Sequence, residues 1–103
     1  MMNFPELEVI DDLVAEDWWA YVTAKGEERV TRVSIGRPRT APEAMGGGWY
    51  CPIKIDDFTH KVLCLGGVGP VDALANAMRI AKAFEDSVGG VSPGAKQPTG
   101  ERF

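Results

Sequence analysis

Residues 49–88 read WYCPIKIDDFTHKVLCLGGVGPVDALANAMRIAKAFEDSV, and the spacing of the apolar positions changes partway along. Trp49 to Asp56 and His60 to Leu65 are rich in aromatic and β-branched residues, the types that suit a pleated surface. From Pro70 the spacing becomes helical. Val71, Leu74, Ala77, Met78, Ala81, Phe84 and Val88 recur three and four residues apart and form one apolar stripe. Two strands and one helix are therefore predicted. A turn centred on Asp57-Phe58 would pair Cys51 with Cys64, Ile53 with Val62 and Ile55 with His60. Pro52 has no N–H to give to a ladder, which predicts an edge strand or a bulge there. Pro70 suits a first helical position, Asp72 complements the helix dipole, and Gly89-Gly90 stops the helix. The five alanines between Ala73 and Ala83 would let the helix sit close to a sheet, anchored by Leu74, Met78 and Phe84.

Upstream, DWWAYVTA (Asp17 to Ala24) reads as a strand, Lys25-Gly26 as a turn, and Arg29 to Ile35 as the partner strand. A two-residue turn would pair Trp18 with Val33, Ala20 with Thr31 and Val22 with Arg29. It would set Trp19 opposite Arg32 and Tyr21 opposite Val30. The loop from Gly36 to Gly48 holds two prolines and four glycines and is expected to be largely irregular. Between Phe4 and Ala15, LEVI reads as an extra strand, with a helical turn as the alternative. GGVSPGAKQPTGERF, from Gly89, offers little to bury and reads as a flexible tail. The expected fold is α+β: an antiparallel sheet of four or five strands with one C-terminal helix packed on one face. Residues 1–88 form the domain and 89–103 the tail.

With 103 residues the chain is sized for one domain, and its 45% hydrophobic and 25% charged residues are ordinary for a globular protein. No leader-like segment and no apolar run of the ~20 residues a membrane helix needs is seen, so a cytoplasmic protein without a membrane partner is expected. A net charge of −4 weighs against nucleic acid. The charge is also segregated. Residues 1–17 carry Glu6, Glu8, Asp11, Asp12, Glu16 and Asp17 and no base, whereas Lys25, Arg29, Arg32, Arg37 and Arg39 crowd residues 25–39. Either the two segments face each other in the fold, or the acidic one is a surface for a basic partner.

One helix covers only one face of a sheet. In the register above, it would cover Trp18, Ala20, Val22, Val33, Ile35, Cys51, Ile53, Val62 and Cys64. The opposite face would show Trp19, Tyr21, Val30, Arg32, Tyr50, Leu63 and Leu65. Aromatic residues and arginine dominate binding hot spots, and soluble monomers seldom expose such a patch. Trp19, Tyr21, Arg32, Tyr50 and Leu63, with the acids Asp11, Asp12 and Glu16, are therefore the expected partner-binding residues. The plainer alternative is that one end of the chain folds over this face.

The remaining candidates each have a bland reading. Cys51 and Cys64, as cross-strand neighbours, would be reduced buried residues or a disulfide after oxidation. His60 is the sole histidine and reads as a partly exposed turn residue. It lies about 13 Å along the strand from Cys64, at roughly 3.3 Å per residue, so no metal site or Cys–His pair is expected. Gly46 to Gly48 lacks the GK[ST] and the helix of a phosphate loop. Gly67 and Gly69 precede a helix and could bind an anion, or could serve a tight strand-to-helix crossing. Arg37 and Arg39, flanking Pro38, could clamp a phosphate or carboxylate, or pair with nearby acids.

The order Ile35-Gly36-x-Pro38, Trp49-x-Cys51-Pro52-x-x-Ile55 and Gly69-x-x-Asp72-Ala73-Leu74-x-x-Ala77 resembles a family of small bacterial proteins of uncharacterised function. Its members share a β-meander followed by one helix. The resemblance covers roughly residues 30–85 and implies that fold, but no catalytic residue. The expected function is a non-enzymatic protein-binding module. Its class analogues are inhibitors and immunity proteins that neutralise a bacterial or phage partner, such as a basic toxin. A homodimeric accessory domain and a small binder of an anionic ligand are the alternatives. No cofactor, metal or catalytic residue is expected.

Overall fold

Strand-forming residues cluster where the sequence places them. The structure, a computed structural model, describes residues 4–97. Strands β1 (Leu13–Val22), β2 (Glu28–Gly36), β3 (Arg39–Thr40), β4 (Trp49–Ile55) and β5 (Leu63–Gly67) form one antiparallel sheet, and helix α1 (Pro70–Val88) follows. A 3₁₀ turn at Glu43–Met45 interrupts the long loop. The strands follow one another as a meander. β2 and the short β3 lie end to end on one side of β4, with β5 on the other.

Both hairpins are one residue out of the expected register. Trp18 faces Arg32, Trp19 faces Thr31 and Tyr21 faces Arg29. The cause is the turn. Thr23 N–H donates to Glu27 O at 2.8 Å, and Thr23 Oγ1 accepts from Glu27 N–H at 3.1 Å. Three residues, Ala24 to Gly26, therefore close the hairpin, with Gly26 in the left-handed region at φ +85°. In the second hairpin the turn runs from Asp56 to Val62, held by Thr59, whose Oγ1 accepts from Ile55 N–H (3.2 Å) and donates to Lys61 O (2.6 Å). Cys51 faces Leu65, Pro52 faces Cys64 and Ile53 faces Leu63, while His60 and Val62 belong to the turn.

A slip of one residue sends every side chain of a strand to the other face. Trp19 and Tyr21 therefore join Thr31, Val33 and Ile35 on the helix side, and Trp18 takes the outer side with Arg32. Cys51 stays on the helix side, and Cys64 moves to the outer side. Pro52 is not on an edge strand, since β4 is flanked on both sides. Its ring lies against Gly36, where the β2 ladder stops before β3 begins, so the missing N–H leaves no gap in the pairing.

The helix meets the sheet through its smallest side chains. Ala73, Ala77, Ala81 and Phe84 are buried against Val33, Ile35, Cys51, Ile53 and Ile55. Short side chains bring the axis close to β4 and β5. The closest approach is at Gly67, where an added Cβ would stand 2.7 Å from Ala73 Cα and 2.8 Å from Asp72 C. The bulkier residues are displaced to the flanks. Leu74 and Ile80 are half-buried, and Met78, an expected anchor, is 42% exposed. Val71 is 79% exposed and Ala73 lies buried in its place, so the contact line follows the stripe expected from spacing at Ala77, Ala81 and Phe84 but leaves it at Val71 and Met78. Phe84 closes the core. Its ring centroid lies 6.4 Å from that of Trp19, 5.2 Å from Tyr21 (edge-on) and 5.4 Å from Phe58.

The chain's two ends cover what the helix does not. Residues 4–12 form neither strand nor helix, so LEVI is not an added strand. They cross the outer face, with Phe4 on Gly66 and 5.7 Å from the Tyr50 ring, and Ile10 on Gly36. Of the expected tail, residues 91–95 run back along β1, while 98–103 lie outside the described residues. Among the described residues no helix is long and apolar enough to cross a membrane.

Gly67→Ala is expected to lower stability by about 1–3 kcal/mol, because the helix start must lift off β5. Gly69→Ala, into open space at extended backbone, should cost less than about 1 kcal/mol. Phe84→Ala should cost about 3–5 kcal/mol. Urea unfolding of the three variants measures all of this, and equal effects at Gly67 and Gly69 would contradict the close approach.

Candidate functional site

The outer face is built by alternate residues of β1, β2, β4 and β5, and the N-terminal segment divides it. On the β4–β5 side Tyr50 is only 5% exposed, with Phe4 packed on it, and Cys64 Sγ donates to Pro5 O at 3.4 Å. On the β1–β2 side the face is open. There the Arg32 guanidinium carbon stands 5.8 Å from the centre of the Trp18 ring, across the strand pair. Arg32 Nε also pairs with Asp56 Oδ2 at 3.4 Å, and Lys54 Nζ pairs with Asp56 Oδ1 at 3.8 Å. Val9, Ile10, Leu13, Glu8, Glu16, Ser34 and Lys54 join Arg32 around a shallow hollow of about 200 Å³.

Asp17 ties this corner together. Its Oδ1 accepts from Trp18 N–H at 2.8 Å, and its Oδ2 from the Trp19 indole N–H at 3.0 Å. Gly94 N–H, from the returning segment, donates to the same carboxylate at 3.1 Å. One side chain thus holds the Trp19 indole and the backbone at Trp18.

The expected partner-binding set is therefore dispersed. Trp19, Tyr21 and Leu63 pack on the helix side, Tyr50 lies under Phe4, and Arg32 stands on the open outer face with Glu16 beside it. Tyr21 Oη donates to Asp57 Oδ2 at 2.8 Å, and burial and this carboxylate push the phenol up. Trp18, placed on the covered side by the sequence pattern, is the exposed-face aromatic. The signal that could have found it is Gly26, which suits the left-handed end of a three-residue turn as well as a two-residue one.

The acidic and basic segments meet. Arg39 Nη2 lies 3.0 Å from Asp11 Oδ1 and 3.5 Å from Asp12 Oδ2, and Arg37 Nε lies 3.1 Å from Asp12 Oδ2. The hydrogen bond to Asp11 pushes the Arg39 guanidinium up further. The expected anion clamp of Arg37 and Arg39 is thus occupied by the chain's own carboxylates. Glu8 and Glu16 are exposed and form no ion pair among the described residues. Gly67 serves the close helix crossing. Beside Gly69 the Asp72 carboxylate accepts from Val68 N–H at 3.0 Å, which puts negative charge where an anion would dock.

The cysteines stand back to back on adjacent strands. Cys51 Sγ donates to Gly36 O at 3.4 Å, and burial pushes its thiol up to about 11. Burial also raises Cys64. The expected cross-strand pairing of Cys51 with Cys64 does not form, because the register points them to opposite faces. His60 has φ +63° and borders the same 640 Å³ hollow as Cys64, Lys61 and Glu6. Among the described residues no group of three or more His, Cys, Asp or Glu side chains is placed to hold a metal ion.

No protein-family model, curated protein or solved structure matches the chain. Of the resemblance carried by its motifs, the architecture is shown: an antiparallel sheet followed by one helix.

Both thiols are expected to resist a disulfide-exchange reagent at pH 8 in the native protein and to react fully in denaturant, since the thiolate is the nucleophile. Mild oxidation should leave no Cys51–Cys64 bond. The unfolded Cys51 thiol loses its proton near 9 and the folded one near 11, so stability should fall as pH rises through that window. Thiol titration and urea melts at pH 8 and pH 10 measure both effects.

Proposed function

We propose that this chain is a protein-binding module. Its docking surface is the open strip of the outer face around Trp18 and Arg32, and its partner presents a basic, extended segment. The observation that carries this reading is the Trp18–Arg32 pair itself, set side by side on the part of the face that residues 4–12 leave uncovered. Tryptophan and arginine are the residue types most enriched at binding hot spots. Exposed Val9, Leu13 and Val14 extend the apolar contact area. Exposed Glu8, Asp11 and Glu16 border it, and the net charge of −4 favours approach of a basic surface.

The narrower form of the proposal is an inhibitor or immunity-type protein that neutralises a basic bacterial or phage protein in the cytoplasm without chemistry of its own. Membership of the family of small meander-plus-helix proteins belongs to this proposal too.

A short peptide alternating lysine and valine is the probe. In an NMR titration it should move the Trp18 indole and Arg32 Nε resonances, and a glutamate–valine peptide should not. Trp18→Ala and Glu16→Lys should each weaken binding more than about fivefold. Unmoved Trp18 and Arg32 signals sink the reading, and so does a sedimentation profile showing that a second copy already covers them.

A further inference from the structure

Strand β5 borders the sheet on the side away from β1, since it pairs with β4 alone. Its outward backbone groups belong to Cys64 and Gly66. Cys64 stands opposite Pro52, which has no N–H, so theirs is a non-hydrogen-bonded pair and the Cys64 N–H and C=O point away from β4. Gly66, two residues on, points the same way, and its carbonyl accepts from Asn76 Nδ2 of α1 at 2.8 Å. Among the described residues no backbone hydrogen bond outside the β4–β5 ladder reaches either residue. The strand is also undefended. LCLGG carries no charge and no proline, and its register with β4 runs without a bulge. On the β1 border, by contrast, the returning segment bonds to Ala20 and Trp18, and Glu16 and Asp17 stand in the strand.

We infer that the β5 edge pairs with the β5 edge of a second copy, joining the two sheets across a twofold axis. Helix α1 favours this occupant. The bond from Asn76 to Gly66 shows which flank of the helix overhangs the edge. Asp72, Arg79 and Ala83 share that flank with Asn76, at spacings of three and four residues. Because α1 lies over β4 and β5 and strands are about 4.8 Å apart, the two helices would run about 10–14 Å apart across the axis. A twofold axis runs them antiparallel, which brings Asp72 at the start of one helix toward Arg79 in the middle of the other. A second copy presents the same two charges in reversed order, so the pairing forms twice. Arg79 is exposed and forms no ion pair among the described residues, and Asp72 accepts from Val68 N–H alone. Leu63, Leu65 and Ile80, each half-buried, would lose more of their exposure in the same step. This border lies across the sheet from β1 and Trp18, apart from the docking strip.

Sedimentation equilibrium of the full chain from about 1 to 200 µM, with amide exchange read at both ends of that range, tests the pairing. A monomer–dimer equilibrium is expected, with the Cys64 and Gly66 amides better protected at the higher concentration. Arg79→Asp should weaken association about tenfold or more, and adding Asp72→Arg should bring it back to within about threefold. Cys64→Pro, which removes an outward N–H, should weaken it as well, whereas Trp18→Ala should leave it unchanged. Amides of Ile53 and Ile55 report that each variant keeps the fold. A chain still monomeric at the top of the range overturns the inference, and so does protection of Cys64 and Gly66 that ignores concentration. A dimer that survives both Arg79→Asp and Cys64→Pro, or that Trp18→Ala disrupts, overturns it too.

Discussion

Three alanines one helical turn apart let α1 pack closely on the side chains of β4 and come down to the backbone of β5 at Gly67. Ala73, Ala77 and Ala81 reach no further than a methyl group, which leaves room beneath them for the side chains of Ile35, Ile53 and Ile55, and at Gly67 the helix start comes down to the backbone of β5 itself. A helix this close has no room for large side chains along its contact line. Its one large buried residue is Phe84, near the end of the helix, and there the rings of Trp19, Tyr21 and Phe58 converge. Trp19 and Tyr21 of β1 lie on the helix side, where Phe84 offers them a ring to pack on.

A single helix leaves the other face and one edge of the sheet to be dealt with by irregular chain. Residues 4–12 do this with apolar contacts, Phe4 on Gly66 and Tyr50, and Ile10 on Gly36 beside Pro52. The ion pairs of Asp11 and Asp12 with Arg39 and Arg37 hold the end of that segment in register. They are solvent-exposed for the most part and add little to stability. Their effect is on specificity: they consume the two arginines that would otherwise invite a foreign anion. What remains open is the strip around Trp18 and Arg32, and Asp17 fixes the backbone beside it by bonding to the N–H of Trp18 and the indole of Trp19.

Much of the architecture was legible in the sequence. The shift of apolar spacing at Pro70, the glycines at each end of the helix and the aromatic-rich strands place every long element within a few residues. The meeting of the acidic and basic segments was one of two open readings. Far less of the site was legible, and the error had a single form. Register in a hairpin depends on how its turn closes: the first turn holds one residue more than its composition suggested, and the second runs from Asp56 to Val62 where a four-residue closure was expected. Composition cannot distinguish a two-residue closure at Lys25-Gly26 from a three-residue one ending at Gly26, since a glycine suits both. The sidedness assignments of β1 and β5 therefore moved together, Trp18, Trp19, Tyr21, Leu63 and Cys64 among them, whereas those of β2 and β4 held.

Local chemistry by itself determined which segments are strands and which is the helix, because periodicity and capping act over a few neighbouring residues. It also determined that the helix is small-faced and close-packed. Only the tertiary structure decided which faces of the strands meet it. That choice is made where Phe84 gathers Trp19 and Tyr21, residues far from it in the chain. It was also the tertiary structure that laid Phe4 and Ile10 across the outer face and brought Ser92 to Ala20. Segments without periodicity carry no local signal of where they will rest. Their positions follow from the surface that the rest of the fold leaves uncovered.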